Sequence, residues 1–150
     1  MSENLTHKRV FITGAASGLG REYAKSYAKD GWKVAISDIN EDALNTTADI
    51  IKKCGAKDVL AIKHDVASSE AWQTALTEIE NNWGGLDILY NNAGIFDGGF
   101  TEEIPEEIYK KIIDIDLWGV IHGCRAALRL MKKQGYGHIV NIASIAGVVS

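Results

Sequence analysis

The sequence predicts a doubly wound parallel sheet of the α/β class, and three observations predict it. Short β-branched runs alternate with longer segments of helical period. Several of those runs are almost continuously apolar, as parallel strands covered on both faces are. A glycine-rich loop joins the first run to the first helical segment.

The strands are expected at Arg9–Thr13, Lys33–Ser37, Val59–His64, Leu86–Tyr90 and His138–Ile142. The helices are expected at Leu19–Lys29, Glu41–Lys53, Ser69–Trp83 and Glu106–Lys133. In the last of these, Ile108, Ile112, Ile115 and Gly119 recur at spacings of three and four, which puts them on one face. Gly31 and Gly55 follow helices where a left-handed cap is expected, and Pro105 stands where a first-turn proline is tolerated. Neither repeat nor linker interrupts the series, so the chain reads as one domain. Right-handed crossovers then arrange the strands in the order 3-2-1-4-5.

Composition narrows the function. The 150 residues suit a single domain, with 46% hydrophobic and 24% charged residues. A net charge of −4 and a pI of about 5.5 supply no basic stripe for a phosphate backbone or an anionic membrane. Nucleic acid and membrane are therefore not expected partners. Cys54 and Cys124 lie far apart and read as reduced thiols. His7, His64, His122 and His138 show no ligand spacing, so no metal is expected. Met1–Lys8 is polar and lacks a secretory apolar run, and no segment approaches the ~18 apolar residues of a membrane span. These features predict a cytoplasmic protein.

The loop Thr13-Gly14-Ala15-Ala16-Ser17-Gly18-Leu19-Gly20 carries the chemistry. Gly14 allows a tight turn, Gly18 lets backbone approach a pyrophosphate, and Gly20 permits close helix packing. The helix N-terminus beyond presents N–H groups and a positive dipole end. No Gly-Lys-Ser/Thr follows, which excludes a nucleotide-hydrolase phosphate loop. Asp38 ends the second strand at roughly the 20-residue offset where a carboxylate accepts from the adenosine ribose hydroxyls and repels a 2′-phosphate. Asp38 could instead cap the next helix, but Asn40 is the better placed cap. Neither Ser17 nor Ile39 is basic, which favours NAD over NADP.

Asn91-Asn92-Ala93-Gly94 ends the fourth strand, at the sheet edge where open α/β folds bind ligands. Asn92 could equally serve a structural turn by bonding to nearby backbone. Ile139-Val140-Asn141-Ile142-Ala143-Ser144 ends the fifth strand, and Ser144 by its position alone would be an ordinary solvated hydroxyl.

Together with the Thr13–Gly20 loop and Asp65-Val66, these motifs resemble the short-chain dehydrogenases/reductases along essentially the whole chain. The resemblance implies a Rossmann-type domain over 1–150 that binds NAD through Gly14, Ser17, Gly18, Leu19, Gly20, Asp38, Ile39, Asp65, Val66, Asn92, Ala93 and Gly94. It implies Ser144 as the residue that holds the substrate oxygen. Hydride would pass between NAD(H) and a small alcohol or ketone, in a homo-oligomer.

Two departures stand out. The family's Tyr-x-x-x-Lys lies beyond the serine, past Ser150, and Tyr136 precedes the fifth strand and cannot replace that tyrosine. The 150 residues are therefore expected to be an incomplete domain, inactive alone and prone to associate through the edge at His138–Ile142, with Val140 and Ile142 uncovered. Asp116 stands where the family usually has an asparagine that stabilises a helix distortion and anchors a proton-relay water. Aspartate has that side chain's shape without its two donors. Ile95, Phe96, Ile145 and Ala146 are expected to line part of a partly apolar substrate pocket. The rival readings are a dinucleotide-binding module without catalysis and a Rossmann-like methyltransferase.

Overall fold

The computed structural model describes residues 7–147, and the Ala146 side chain falls outside that description. The strands are β1 (Arg9–Thr13), β2 (Lys33–Asp38), β3 (Asp58–Lys63), β4 (Ile88–Asn91) and β5 (His138–Asn141). The helices are α1 (Gly18–Lys29), α2 (Glu41–Cys54), α3 (Ser69–Trp83), α4 (Glu106–Ile112) and α5 (Gly119–Gln134). The strands form one sheet in the order β3-β2-β1-β4-β5, every pair parallel.

β1 is buried along its whole length because both faces are covered. Phe11 joins Trp72, Leu76, Ile79, Leu89 and Ala127 in the core under α3 and α5. Val10 and Ile12 join Ala24, Val34, Ile36, Leu44 and Ile51 in the core under α1 and α2. Polar caps fix the helix starts: Asn40 Oδ1 accepts from Ala43 N at 3.1 Å, and Ser68 Oγ from Ala71 N at 3.2 Å.

The expected elements are present, most bounds within a residue of those expected, with larger differences at β4 and in the last helical segment. The fourth strand pairs from Ile88, not Leu86, because Asp87 is committed to Arg9 and the β1 ladder opens at Val10 opposite Ile88. The helix expected from periodicity over Glu106–Lys133 is broken by a π-helical turn at Ile113–Trp118, which carries Asp116, the position where the resemblance implied a helix distortion. Pro105 caps α4 instead of entering its first turn. Ile108, Ile112 and Ile115 are half-buried and Gly119 is buried, so the expected face does turn inward. The edge strand β5 is also less bare than expected, since Val140 packs against the α1–α2 core and Ile142 is half-buried. Among the described residues no helix is long and apolar enough to cross a membrane.

A buried ion pair fastens the amino ends of the strands. Arg9 donates from its backbone N and from Nε to Asp87 Oδ2, at 2.7 and 3.0 Å. Its Nη2 reaches Asp87 Oδ1 at 2.8 Å and the Tyr136 hydroxyl at 2.9 Å, and Nη1 donates to Trp83 O at 3.2 Å. Gln134 closes the cluster by accepting from Leu86 N and donating to Leu86 O. Tyr136 thus sits at the opposite end of the sheet from Ser144. Asp87→Asn should lower the unfolding free energy by about 3–5 kcal/mol, because it leaves a buried guanidinium without its counter-charge. The check is a fall in the urea midpoint at unchanged slope.

Candidate functional site

The carboxyl ends of the strands converge on a cleft of about 480 Å³. It is lined by Gly14, Ser17, Gly18, Leu19, Asp38, Ile39, Asp65, Val66, Asn92, Ala93 and Gly94, joined by His64, Ile95, Lys111 and Ile115. Nearly every cofactor residue expected from the sequence is therefore brought to one place.

Gly20 stands just behind the lining and sets the fit of the loop. A Cβ there would meet Gly14 O at 2.5 Å and Asn92 Nδ2 at 2.7 Å. Gly18 has a φ of +53°, and a Cβ on it would meet no atom of the described residues within 4 Å. That position keeps the cradle open for a ligand to approach the backbone.

Thr13 and Asn92 bolt this loop to the end of β4. Thr13 Oγ1 donates to Tyr90 O at 3.2 Å and accepts from Asn92 N and Ala93 N at 3.1 and 3.0 Å. Asn92 Nδ2 donates to Thr13 O at 2.8 Å and Gly14 O at 3.3 Å. Asn92 accordingly fulfils the structural alternative, bonding to backbone, while still lining the cleft.

The half-buried Asp38 carboxylate stands at the mouth. Its Oδ2 accepts from Ala16 N at 3.1 Å and its Oδ1 from Asn40 N at 3.0 Å. Asn40, not Asp38, supplies the side-chain cap of α2. Asp65 is exposed and accepts from Ala67 N at 2.9 Å, and Val66 O accepts from Trp72 Nε1 at 3.0 Å.

Asp116 is outside the cleft lining. From the π turn its Oδ1 accepts from Ile95 N at 3.0 Å, tying α4–α5 to the segment after Gly94. Ser144 is exposed between β5 and a short turn at Ile145–Gly147, its carbonyl accepting from Gly147 N at 3.1 Å. Of the expected substrate-pocket residues, Ile95 lines the cleft, whereas Phe96 and Ile145 are 91% and 75% exposed. Among the described residues no group of His, Cys, Asp and Glu could hold a metal.

Sequence reading missed His64, Lys111 and Ile115 in the cleft. Lys111 and Ile115, four apart, share a helix face that the hydrophobic pattern marked only at Ile115. His64 follows Ile62 by two and so points into the same core. It is 3% exposed, with Nδ1 3.1 Å from Ser37 Oγ and its ring against Trp72 and Phe11. Nε2 is buried and has no partner among the described residues. Burial lowers the ring's pKa from 6.5 to about 4.

The family model described as short chain dehydrogenase matches residues 8–150. The chain belongs to that family. It is 36% identical, over 99% of its length, to a 2,5-dichloro-2,5-cyclohexadiene-1,4-diol dehydrogenase of Sphingobium indicum, and 37% identical to the trans-4-hydroxycyclohexanecarboxylate dehydrogenase of Sinomonas cyclohexanicum. It spans 59% of the length of each of these relatives. A solved short-chain dehydrogenase/reductase from Burkholderia phymatum, in complex with NAD, superposes with a TM-score of 0.91 at 35% identity. The match covers 95% of this chain and 51% of that one.

The neutral, buried His64 has a consequence for stability. Above pH 6.5 the ring is neutral in both folded and unfolded chains, so it adds no pH dependence. As pH falls from 6.5 toward 4, the unfolded chain takes up a proton that the folded ring refuses, and stability is lost. His64→Gln should therefore show a shallower loss of stability than the parent across that window, measured by urea unfolding at a series of pH values.

Proposed function

We propose that the chain is the dinucleotide-binding portion of an NAD-dependent oxidoreductase acting on a small alcohol or ketone. The observation that carries this reading is the Asp38 carboxylate at the mouth of the glycine-loop cleft, positioned by two backbone amides. A carboxylate offers about four acceptor sites. Those not used by Ala16 and Asn40 suit the paired hydroxyls of an adenosine ribose, and the negative charge disfavours a 2′-phosphate. Ser17–Gly20, at the start of α1, would hold the pyrophosphate, and Asp65 and Val66 would flank the adenine. Asn92, Ala93 and Gly94 would lie along the nicotinamide half. When bound, the nicotinamide would accept hydride from an alcohol or return it to a ketone.

Ser144 would hold the substrate oxygen in the complete protein. Asp116 would anchor the π turn and, through Ile95, the wall beside the nicotinamide. The names of the related dehydrogenases support an alcohol as substrate class, and the NAD in the Burkholderia protein supports the cofactor. Exposed Ile113, Leu117, Trp118 and Leu128 on the π turn and α5 support a homo-oligomer.

NADH should bind at least tenfold more tightly than NADPH, about 1.4 kcal/mol, by fluorescence titration. Asp38→Ala should narrow that gap. Equal affinities in the parent chain would overturn the NAD assignment, and preference for S-adenosylmethionine over NADH would favour a methyltransferase.

Asp116 has its own test. Asp116→Asn keeps an oxygen to accept from Ile95 N, while Asp116→Leu does not. Hydrogen exchange at the Ile95 amide should be accelerated several-fold in the leucine variant alone. In the full-length protein turnover should fall in parallel.

A further inference from the structure

A second layer of polar contacts stands behind Asp38. The Ala16 carbonyl accepts from Arg21 Nη2 and from Thr47 Oγ1, the latter at 3.3 Å. Arg21 Nε in turn donates to Thr47 Oγ1 at 2.9 Å. The amide of the same residue, Ala16, donates to Asp38 Oδ2. Ala16 is therefore gripped on both sides of its Cα, by α1 and α2 on one side and by the carboxylate on the other.

Thr47 is placed oddly for a purely structural residue. It is fully buried on the α2 face that also carries Leu44, Ala48 and Ile51. Valine has nearly the same shape and would fill that position without burying a hydroxyl. The hydroxyl is used: it lies 3.2 Å from Ala43 O, one turn back, as mid-helix threonines commonly do, and it also meets Ala16 O and Arg21. Arg21 is the cation nearest the loop in sequence, yet it is not among the cleft-lining residues, its guanidinium being turned to Ala16 O and Thr47.

We infer that Arg21 and Thr47 are positioning residues for dinucleotide selection: by holding Ala16 they hold the Asp38 carboxylate in the orientation that accepts a ribose diol. The inference rests on the reading of Asp38 as the ribose acceptor. A carboxylate whose partner is fixed beforehand loses less freedom when ligand binds. Removing the grip therefore weakens the dinucleotide that uses Asp38, and has little effect on one that Asp38 repels.

The test measures NADH and NADPH dissociation constants by fluorescence titration of the chain, with melting curves to confirm folding. Thr47→Val and Arg21→Met should each weaken NADH roughly fivefold, the scale of one hydrogen bond, and NADPH less than about twofold. Thr47→Ser and Arg21→Lys, which retain a donor, should restore most of the NADH affinity. In an Asp38→Ala background, Thr47→Val should add nothing further, since its effect passes through the carboxylate.

Equal weakening of both dinucleotides by Thr47→Val, or an undiminished effect without Asp38, would overturn the inference and leave a merely structural role. Loss of NADPH affinity exceeding loss of NADH affinity in Arg21→Met would also overturn it, by showing that the guanidinium meets phosphate. If Asp38→Ala leaves the NADH to NADPH ratio unchanged, the ribose reading itself falls and takes this inference with it. If Asp38→Ala narrows the ratio and the other variants do not, only this inference falls.

Discussion

Arg9 opens the central strand with its guanidinium against Asp87, the residue just before β4, so the two strands at the middle of the sheet share one buried ion pair. At their far ends Thr13 and Asn92 tie the same two strands together through side-chain to backbone bonds. The crossing from the β1–β2–β3 half to the β4–β5 half happens between these strands, and a doubly wound sheet opens its crevice there. A shift of β4 against β1 would separate the glycine loop from Asn92–Gly94 and dismantle the cleft. Such an ion pair contributes less to net stability than its short distances suggest, because both groups leave water. Its five donor contacts join the start of β1 to Asp87 before β4, to the end of α3 at Trp83 and to Tyr136 before β5.

Parallel topology and the location of the site were legible in the sequence, for a shared reason. Strands covered on both faces must be apolar throughout, and a loop leaving such a strand into a helix must lie at the carboxyl edge. Asp38 could be read from its offset, and Asn40 from its side chain's aptitude as a cap. Contacts between distant segments were not legible. Nothing local marks Arg9 as the partner of Asp87, or Thr47 as a support of Ala16, since each pairing exists only after the sheet has closed. His64 was discounted as one of several scattered histidines, although strand alternation alone would have turned it inward beside Ile62.

The break in the long helical segment has a different origin. Periodicity over Glu106–Lys133 is good enough to suggest one uninterrupted helix, and the four positions picked from it do face inward. Spacing of apolar residues by three and four tolerates a local change of pitch, because the next turn resumes the pattern. Periodicity cannot see the Ile95 amide that lies across from the π turn, and the position of the distortion was marked only by the family resemblance at Asp116.

That turn also adjusts the angular phase of the helix. Widening one turn by a residue rotates everything downstream by about 100° relative to an unbroken α-helix. It stands between an α4 whose Lys111 lines the cleft and an α5 whose Gly119 and Gly123 lie close against Val66, Asn91 and Trp72. The extra residue lets one rod meet two surfaces that are out of step with each other. Deleting a single residue between Ile113 and Trp118 would leave helix content almost intact while swinging bulkier side chains of α5 toward Trp72, so circular dichroism would hardly register a lesion that tertiary packing could not accommodate.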